Sequence, residues 1–210
     1  GFQMCRDVVI RQSTFSHNTG NGLHPGAGST NVMFDDCDGH GNGNCGFFFC
    51  VRANHITVTG SRFTDNGMGI SIGTRDCHNL IEDCVVDGNA GAGILARPSP
   101  RPVEVHSCHV RRCTIARNAG TRGQGQVEIV TQAHDLIFED NTVRGREGAG
   151  QDKPGFFVES TARDIHLKGN RVQGCSRDVD ARQESLASTA PQIECGYDSG
   201  SQTIYRHLPF

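Results

Sequence analysis

Apolar residues along this chain neither run on nor recur at helical spacing; they come in short alternating bursts separated by Gly and Asn. The pattern is clearest from Ser61 to Asp76, where Ser61 stands two before Phe63, Asn66-Gly67 follow, and Ile70-Ser71-Ile72 alternates. Locally this predicts a short strand, a tight turn and another short strand. The same opening recurs at Ser13/Phe15, Cys37/Gly39, Cys84/Val86, Cys113/Ile115, Asn141/Val143 and Asn170/Val172, at intervals of 23 to 29 residues. Five residues beyond the first member stand Asn18, Asn42, Asn66, Asn89 and Asn118, a register that lapses at Arg146 and Cys175. A period in this range marks a repeat architecture, and the spacing of leucine-rich repeats is missing.

Short strands rich in Val, Ile and Phe and bounded by Asn-Gly, Asp-Gly or Gly-Asn predict a stacked parallel β-solenoid. One coil cannot bury its apolar side alone, so coils stack at about 4.8 Å and share one interior. Equivalent residues then form columns, and an Asn column at a turn is expected to hydrogen-bond from rung to rung. About seven coils are expected over residues 1–175, the first four being 5–30, 31–53, 54–76 and 77–97. Residues 176–210 are expected to form a cap and tail, with a short helix over 178–187. Because the chain starts almost directly on a coil, sequence including an N-terminal cap is expected before Gly1. Later coils lengthen at Pro98 to Pro102, Ala119 to Gly125 and Arg144 to Gly155, where loops would build walls.

The Asn turn followed by Gly-Leu or Gly-Ile, as at Gly22-Leu23, Gly69-Ile70 and Gly93-Ile94, resembles the right-handed parallel β-helix repeats of the pectate-lyase-like superfamily over roughly residues 5 to 175. The resemblance implies an all-β, right-handed parallel β-helix. It narrows function only to the range that this fold hosts: polysaccharide lyases, glycoside hydrolases, epimerases, fructan-transferring enzymes, tailspikes and adhesins. His-Pro-Gly-x-Gly-Ser at 24–29, Cys-x-Arg at 50–52 and Gly-Ile-Ser-Ile-Gly-x-x-Asp at 69–76 are also similar to segments of bacterial β-helix proteins, and favour one surface spanning the first four coils. An extracellular or periplasmic location is implied by the fold class.

Composition sharpens this picture modestly. With 27 Gly and no Trp in 210 residues, the chain suits a turn-dense solenoid better than a thick globular core. A net charge of −3 gives no electrostatic case for nucleic acid or an anionic membrane, and no apolar run approaches a membrane span. A polysaccharide or oligosaccharide is the expected partner, and the oligomeric state is open. Of the ten Cys, three (Cys37, Cys84, Cys113) follow the coil period, as small residues on an inward column, which argues against a disulfide framework.

Candidate chemistry lies on the strand after the Asn turn. With Leu23, Phe47, Ile70 and Ile94 inward, alternation sends His24, Phe48, Ser71 and Leu95 outward. Two residues on come Gly26, Cys50, Gly73 and Arg97, and then Arg52 and Arg75. His24 is expected as base, Arg52 and Arg75 as holders of a uronate carboxylate and Asp76 as partner, a set suited to abstracting a proton beside that carboxylate. Phe48, Ser71, Arg97, Glu128 and Glu159 are the expected substrate-binding residues. Glu128 and Glu159, on equivalent strands of consecutive coils, would sit near the ~5 Å spacing of a retaining glycosidase if in register.

Other motifs carry less. Gly69 to Gly73 satisfies Gly-x-Ser-x-Gly but lies in a strand without the strand-turn-helix of a nucleophile elbow. No metal is expected; a loose calcium site at Asp35, Asp36 or Asp38 is the exception considered, since Phe47 stands where an EF-hand needs Glu. Asp35-Asp36 and Gly39-His40-Gly41 resemble polygalacturonase motifs but crowd into half a coil. Alternation divides Cys108, Cys113, His106 and His109 between faces, against a zinc site. Together these readings favour a carbohydrate-active enzyme, lyase or epimerase before hydrolase, with a non-catalytic carbohydrate-binding or structural, tailspike-like solenoid as the alternative.

Overall fold

A computed structural model describes residues 1–130, 132–146, 153–181 and 193–196, the last segment by its backbone. The chain winds through three parallel sheets in turn, as the repeat predicts. The first has eight strands: Arg6–Arg11, Thr30–Asp35, Asn54–Thr59, Leu80–Glu82, His106–Arg111, His134–Glu139, Arg163–Lys168 and Ile193–Gly196. Seven three-residue strands from Thr14–Ser16 to Arg171–Gln173 form the second. Six strands form the third: Cys45–Phe48, Met68–Ile72, Ile94–Ala96, Val127–Ile129, Phe156–Val158 and Val179–Ala181.

Apolar columns from all three sheets fill the interior. Ile10, Phe34, Val58, Ile81, Val110, Phe138 and Leu167 are in register in the first sheet, and Phe47, Ile70, Ile94, Val127, Phe156 and Val179 in the third. In the second sheet Phe15, Gly39, Phe63, Val86, Ile115, Val143 and Val172 align. Gly39 breaks the apolar series because a Cβ there would lie 3.0 Å from both Phe63 Cδ1 and the Gly46 carbonyl. Phe47 meets Phe34 of its own coil and Phe63 of the next at ring separations of 4.8 and 5.6 Å.

The Asn column is a ladder. Each Oδ1 of Asn42, Asn66, Asn89 and Asn118 accepts the backbone N–H and the Nδ2 of the Asn one rung above, at 2.8–3.1 Å. Where the register lapses, Gln126 takes over: its Oε1 accepts the Asn118 N–H at 2.8 Å and its Nε2 donates to the Asn118 carbonyl at 3.0 Å. Asn141 and Asn170 form a second ladder in the column of Ser61 and Cys113, Asn141 donating to Asn170 and accepting from the Cys113 N–H.

The corner entering the first sheet repeats its geometry: Asp7, Asn31, His55, His78, Ser107, Asp135 and Asp164 are all left-handed, with φ of 52–57°. Parallel strands continue past residue 175, and Val179–Ala181 pairs with Phe156–Val158 where a helix over 178–187 is expected. Tertiary pairing overrides the amphipathic pattern there. Residues 182–187 of that expected helix, and all of the expected tail except 193–196, lie outside the described residues.

Candidate functional site

The outer face of the third sheet carries the expected column. Phe48 pairs with Ser71 and Ser71 with Leu95, and the column runs on through Glu128, Phe157 and Asp180. His24 joins at the top, because Leu23 bridges to Phe47, and its ring meets that of Phe48 edge-on at 5.1 Å.

Arg97 is the centre of this face. It follows Ile94–Ala96 and folds back toward the earlier coils, its Cζ 4.3 Å above the centre of the Phe48 ring. Nη2 donates to the Phe49 carbonyl at 2.7 Å and to Asp76 Oδ2 at 3.4 Å, and Nη1 to Ser71 Oγ at 3.2 Å. The Nε–H and one Nη1–H are left over from the guanidinium fork. Gly73 makes the fold-back possible, since a Cβ there would come within 2.3 Å of Arg97 Nε and 2.5 Å of Cζ.

Asp76 lies beneath, 0% exposed. Its Oδ1 accepts the Ala53 N–H at 2.9 Å and its Oδ2 the Gly73 N–H at 2.8 Å. Burial pushes its pKa up to about 7, against the pull of these donors and of Arg97. Burial also lowers the Arg97 pKa, and Asp76 opposes that shift. Asp76 is thus a positioning residue for Arg97, sealed from any ligand. His24 is half-buried, its Nε2 is enclosed without a hydrogen-bond partner, and burial together with the positive charge of Arg97 lowers its pKa. A neutral imidazole able to take a proton therefore adjoins a guanidinium set on an aromatic face.

The remaining expected residues fall elsewhere. Arg52 and Arg75 occupy the next corner, exposed and left-handed at φ 67° and 59°; the bonds to Asp76 and Ser71 are made by Arg97. Glu128 is buried, and its Oε1 accepts the N–H groups of Gln124 (2.6 Å) and Gly125 (3.4 Å), closing the Ala119 to Gly125 loop over the sheet. Burial raises its pKa. It pairs with Phe157, so Glu159 lies two residues further along, and the in-register carboxylate pair does not form. The reach of Arg97 was missed from sequence, although one signal pointed to it: a glycine, Gly73, next to a long arginine in the same column.

Asp35 faces Arg11 at 3.3 Å and Asp38 faces His40 at 3.1 Å. Among the described residues no three His, Cys, Asp or Glu side chains converge in a metal-holding group.

With this geometry in place, comparison with known proteins is informative about the scaffold. Residues 2–109 match the family described as the right-handed beta helix region. No curated protein matches the sequence. Among solved structures, the A-module of the Azotobacter vinelandii mannuronan C-5 epimerase AlgE6 superposes with a TM-score of 0.66 at 16% identity, over 94% of this chain and 55% of that one. The periplasmic alginate epimerase AlgG gives 0.64 at 12%, over 86% and 46%. A mutant tailspike protein of E. coli bacteriophage HK620 in complex with pentasaccharide gives 0.59 at 9%, over 90% and 41%. The chain spans roughly half the length of these structures. At such identities the likeness shows the fold alone.

Proposed function

Because the chain belongs to the right-handed β-helix family, on a scaffold whose active surfaces vary independently of the fold, we propose that the outer face of its third sheet binds an acidic polysaccharide. The chemistry is of lyase or epimerase type. The observation that carries this reading is the Arg97 guanidinium laid on Phe48 with two N–H groups to spare, beside an imidazole whose Nε2 has no partner. In this reading the half-buried His24 imidazole takes the proton on the carbon next to a uronate carboxylate. The electron pair moves into that carboxylate, whose growing charge Arg97 stabilises. Return of a proton to the opposite face inverts the centre; departure of the neighbouring glycosidic oxygen leaves a carbon–carbon double bond. Names of similar folds, alginate epimerases and a pentasaccharide-bound tailspike, support the substrate class.

The two outcomes are read by incubating the protein with polyuronates in D2O: inversion carries deuterium onto the carbon that lost its proton, whereas elimination gives an unsaturated product without it, seen by mass and ultraviolet absorbance. Arg97→Ala is expected to lower turnover, by whichever product reads it, about 100-fold or more, and His24→Ala to abolish it. A second reading has its own observation: Asp76 is fully buried and Arg97 makes three internal bonds, as in a rigid binding platform. Tight binding with neither deuterium uptake nor unsaturated product from the wild type would establish that reading and remove the catalytic one.

A further inference from the structure

Arg52 and Arg75, left aside by the Arg97 cluster, stand at equivalent places in the corner that leads from the third sheet to the first, both exposed. The Arg52 N–H donates to the Thr74 carbonyl at 3.0 Å, so one corner stacks on the next. Three residues after each comes a histidine, His55 and His78, again exposed and left-handed, with ring centres 5.2 Å apart. The file of imidazoles continues along the stack: His78 to His106 is 5.8 Å, and His106 to His134 is 5.1 Å with the rings parallel to within 8°.

We propose that this corner is an anion-binding strip for a polycarboxylate glycan, lying along the solenoid axis and engaging as its histidines take up protons. Its rung-by-rung spacing of cations is comparable with the once-per-sugar spacing of charge on a polyuronate. The strip does not depend on the reading of the Arg97 site. Among the described residues no carboxylate is ion-paired with Arg52, Arg75, His55 or His78, so this end is open to an external anion. Asp7, two rungs above His55 in the same corner, accepts from Asn31 Nδ2, and the acids at the other end of the file are engaged as well. Asp135 accepts from Ser107 at 2.6 Å, and Ser107 Oγ is 3.1 Å from His106 Nδ1. Glu104 lies 3.6 Å from Arg163 and 3.8 Å from His134 Nε2, and Arg163 also reaches Asp164 at 3.5 Å.

Burial lowers the pKa of His55, His106 and His134; His78 adds to the shift at the first two, Arg163 at the last two, while Asp135 and Glu104 oppose it at His106 and His134. These three are therefore neutral at pH 7.5, and each proton added on acidification repels the next. A polycarboxylate, still ionised at pH 5.5, relieves that repulsion and so binds better to the acid form.

The test is calorimetric titration with polygalacturonate at pH 5.5 and 7.5 at fixed ionic strength, with dextran as neutral control. Binding is expected to be at least tenfold tighter at pH 5.5. His55→Asn with His78→Asn should remove that gain. Arg52→Asn with Arg75→Asn should weaken binding at both pH values. Asn is chosen because it tolerates the left-handed backbone. Since Asp76 also gains its proton in this range, Arg97→Ala is the control, and it should leave the gain in place. Equal affinity at the two pH values, loss of the gain in Arg97→Ala, or unchanged affinity in both double variants overturns the proposal, and so does the absence of binding.

Discussion

Asn66 has its side-chain amide saturated: Oδ1 accepts from Asn42 N and Nδ2, and Nδ2 donates to the Gly39 carbonyl and to Asn89 Oδ1. Asn66→Ala strands buried groups on both neighbouring rungs and is expected to lower stability by about 3 kcal/mol in denaturant unfolding. Asn141 has one bond fewer, accepting from Cys113 N and donating to the Val110 carbonyl and Asn170 Oδ1. Asn141→Ala should therefore follow within about 1 kcal/mol. A negligible loss at Asn141 would mean that the second ladder is idle. The five-membered column was legible because identical residues recur in step. The Asn141–Asn170 pair was hidden among Ser and Cys in its column, and Gln126 was hidden because it acts from within its own coil. Arg97 was legible as a position and not as a contact, since spacing fixes where a long side chain starts and not where it ends.

At the scale of elements, the third-sheet strand and the corner after it behave differently. Alternation along the strand correctly sets Phe48, Ser71 and Leu95 on one face. It fails at the corner, where the Gly73 to Asp76 turn brings Asp76 inward against two backbone N–H groups. That inward carboxyl predicts a pH dependence. Its pKa is raised from an ordinary value near 4 to about 7, so the native state binds the extra proton between these values. The stability it contributes is full below about pH 4 and is lost as pH rises through about 7. Asp76→Asn should flatten the fall in denaturation midpoint between pH 5 and pH 8; an unchanged slope would place the titration elsewhere. Gly73→Ala tests the corner from the other side. With no room beside Arg97 Nε, the guanidinium should leave Phe48, and the variant should lose polyuronate turnover as Arg97→Ala does while retaining its strands by circular dichroism.

The whole molecule is a stack in which each coil touches its neighbours, so three in-step columns were enough to read the architecture from sequence. Register between distant loops was not readable: insertions of unequal length precede Glu128 and Glu159, and the two ended up two places apart. All nine cysteines with described side chains are free, and Cys37, Cys45, Cys84, Cys108 and Cys113 are buried. Burial drives the thiols of Cys45 and Cys108 up to about 12. These five should resist alkylation in the native state and react fully in denaturant, as read by peptide mass spectrometry; rapid native labelling would contradict the packing. The way the asparagine ladder ends has a further consequence. Gln126 satisfies the last rung from inside the same coil, acting as a chain terminator does in a polymerisation. The ladder above it is a closed cassette that owes no partner to the coils below, so those coils were free to drop the Asn register and start a ladder of their own at Asn141. Growth of this protein by duplication would leave its scar at that seam.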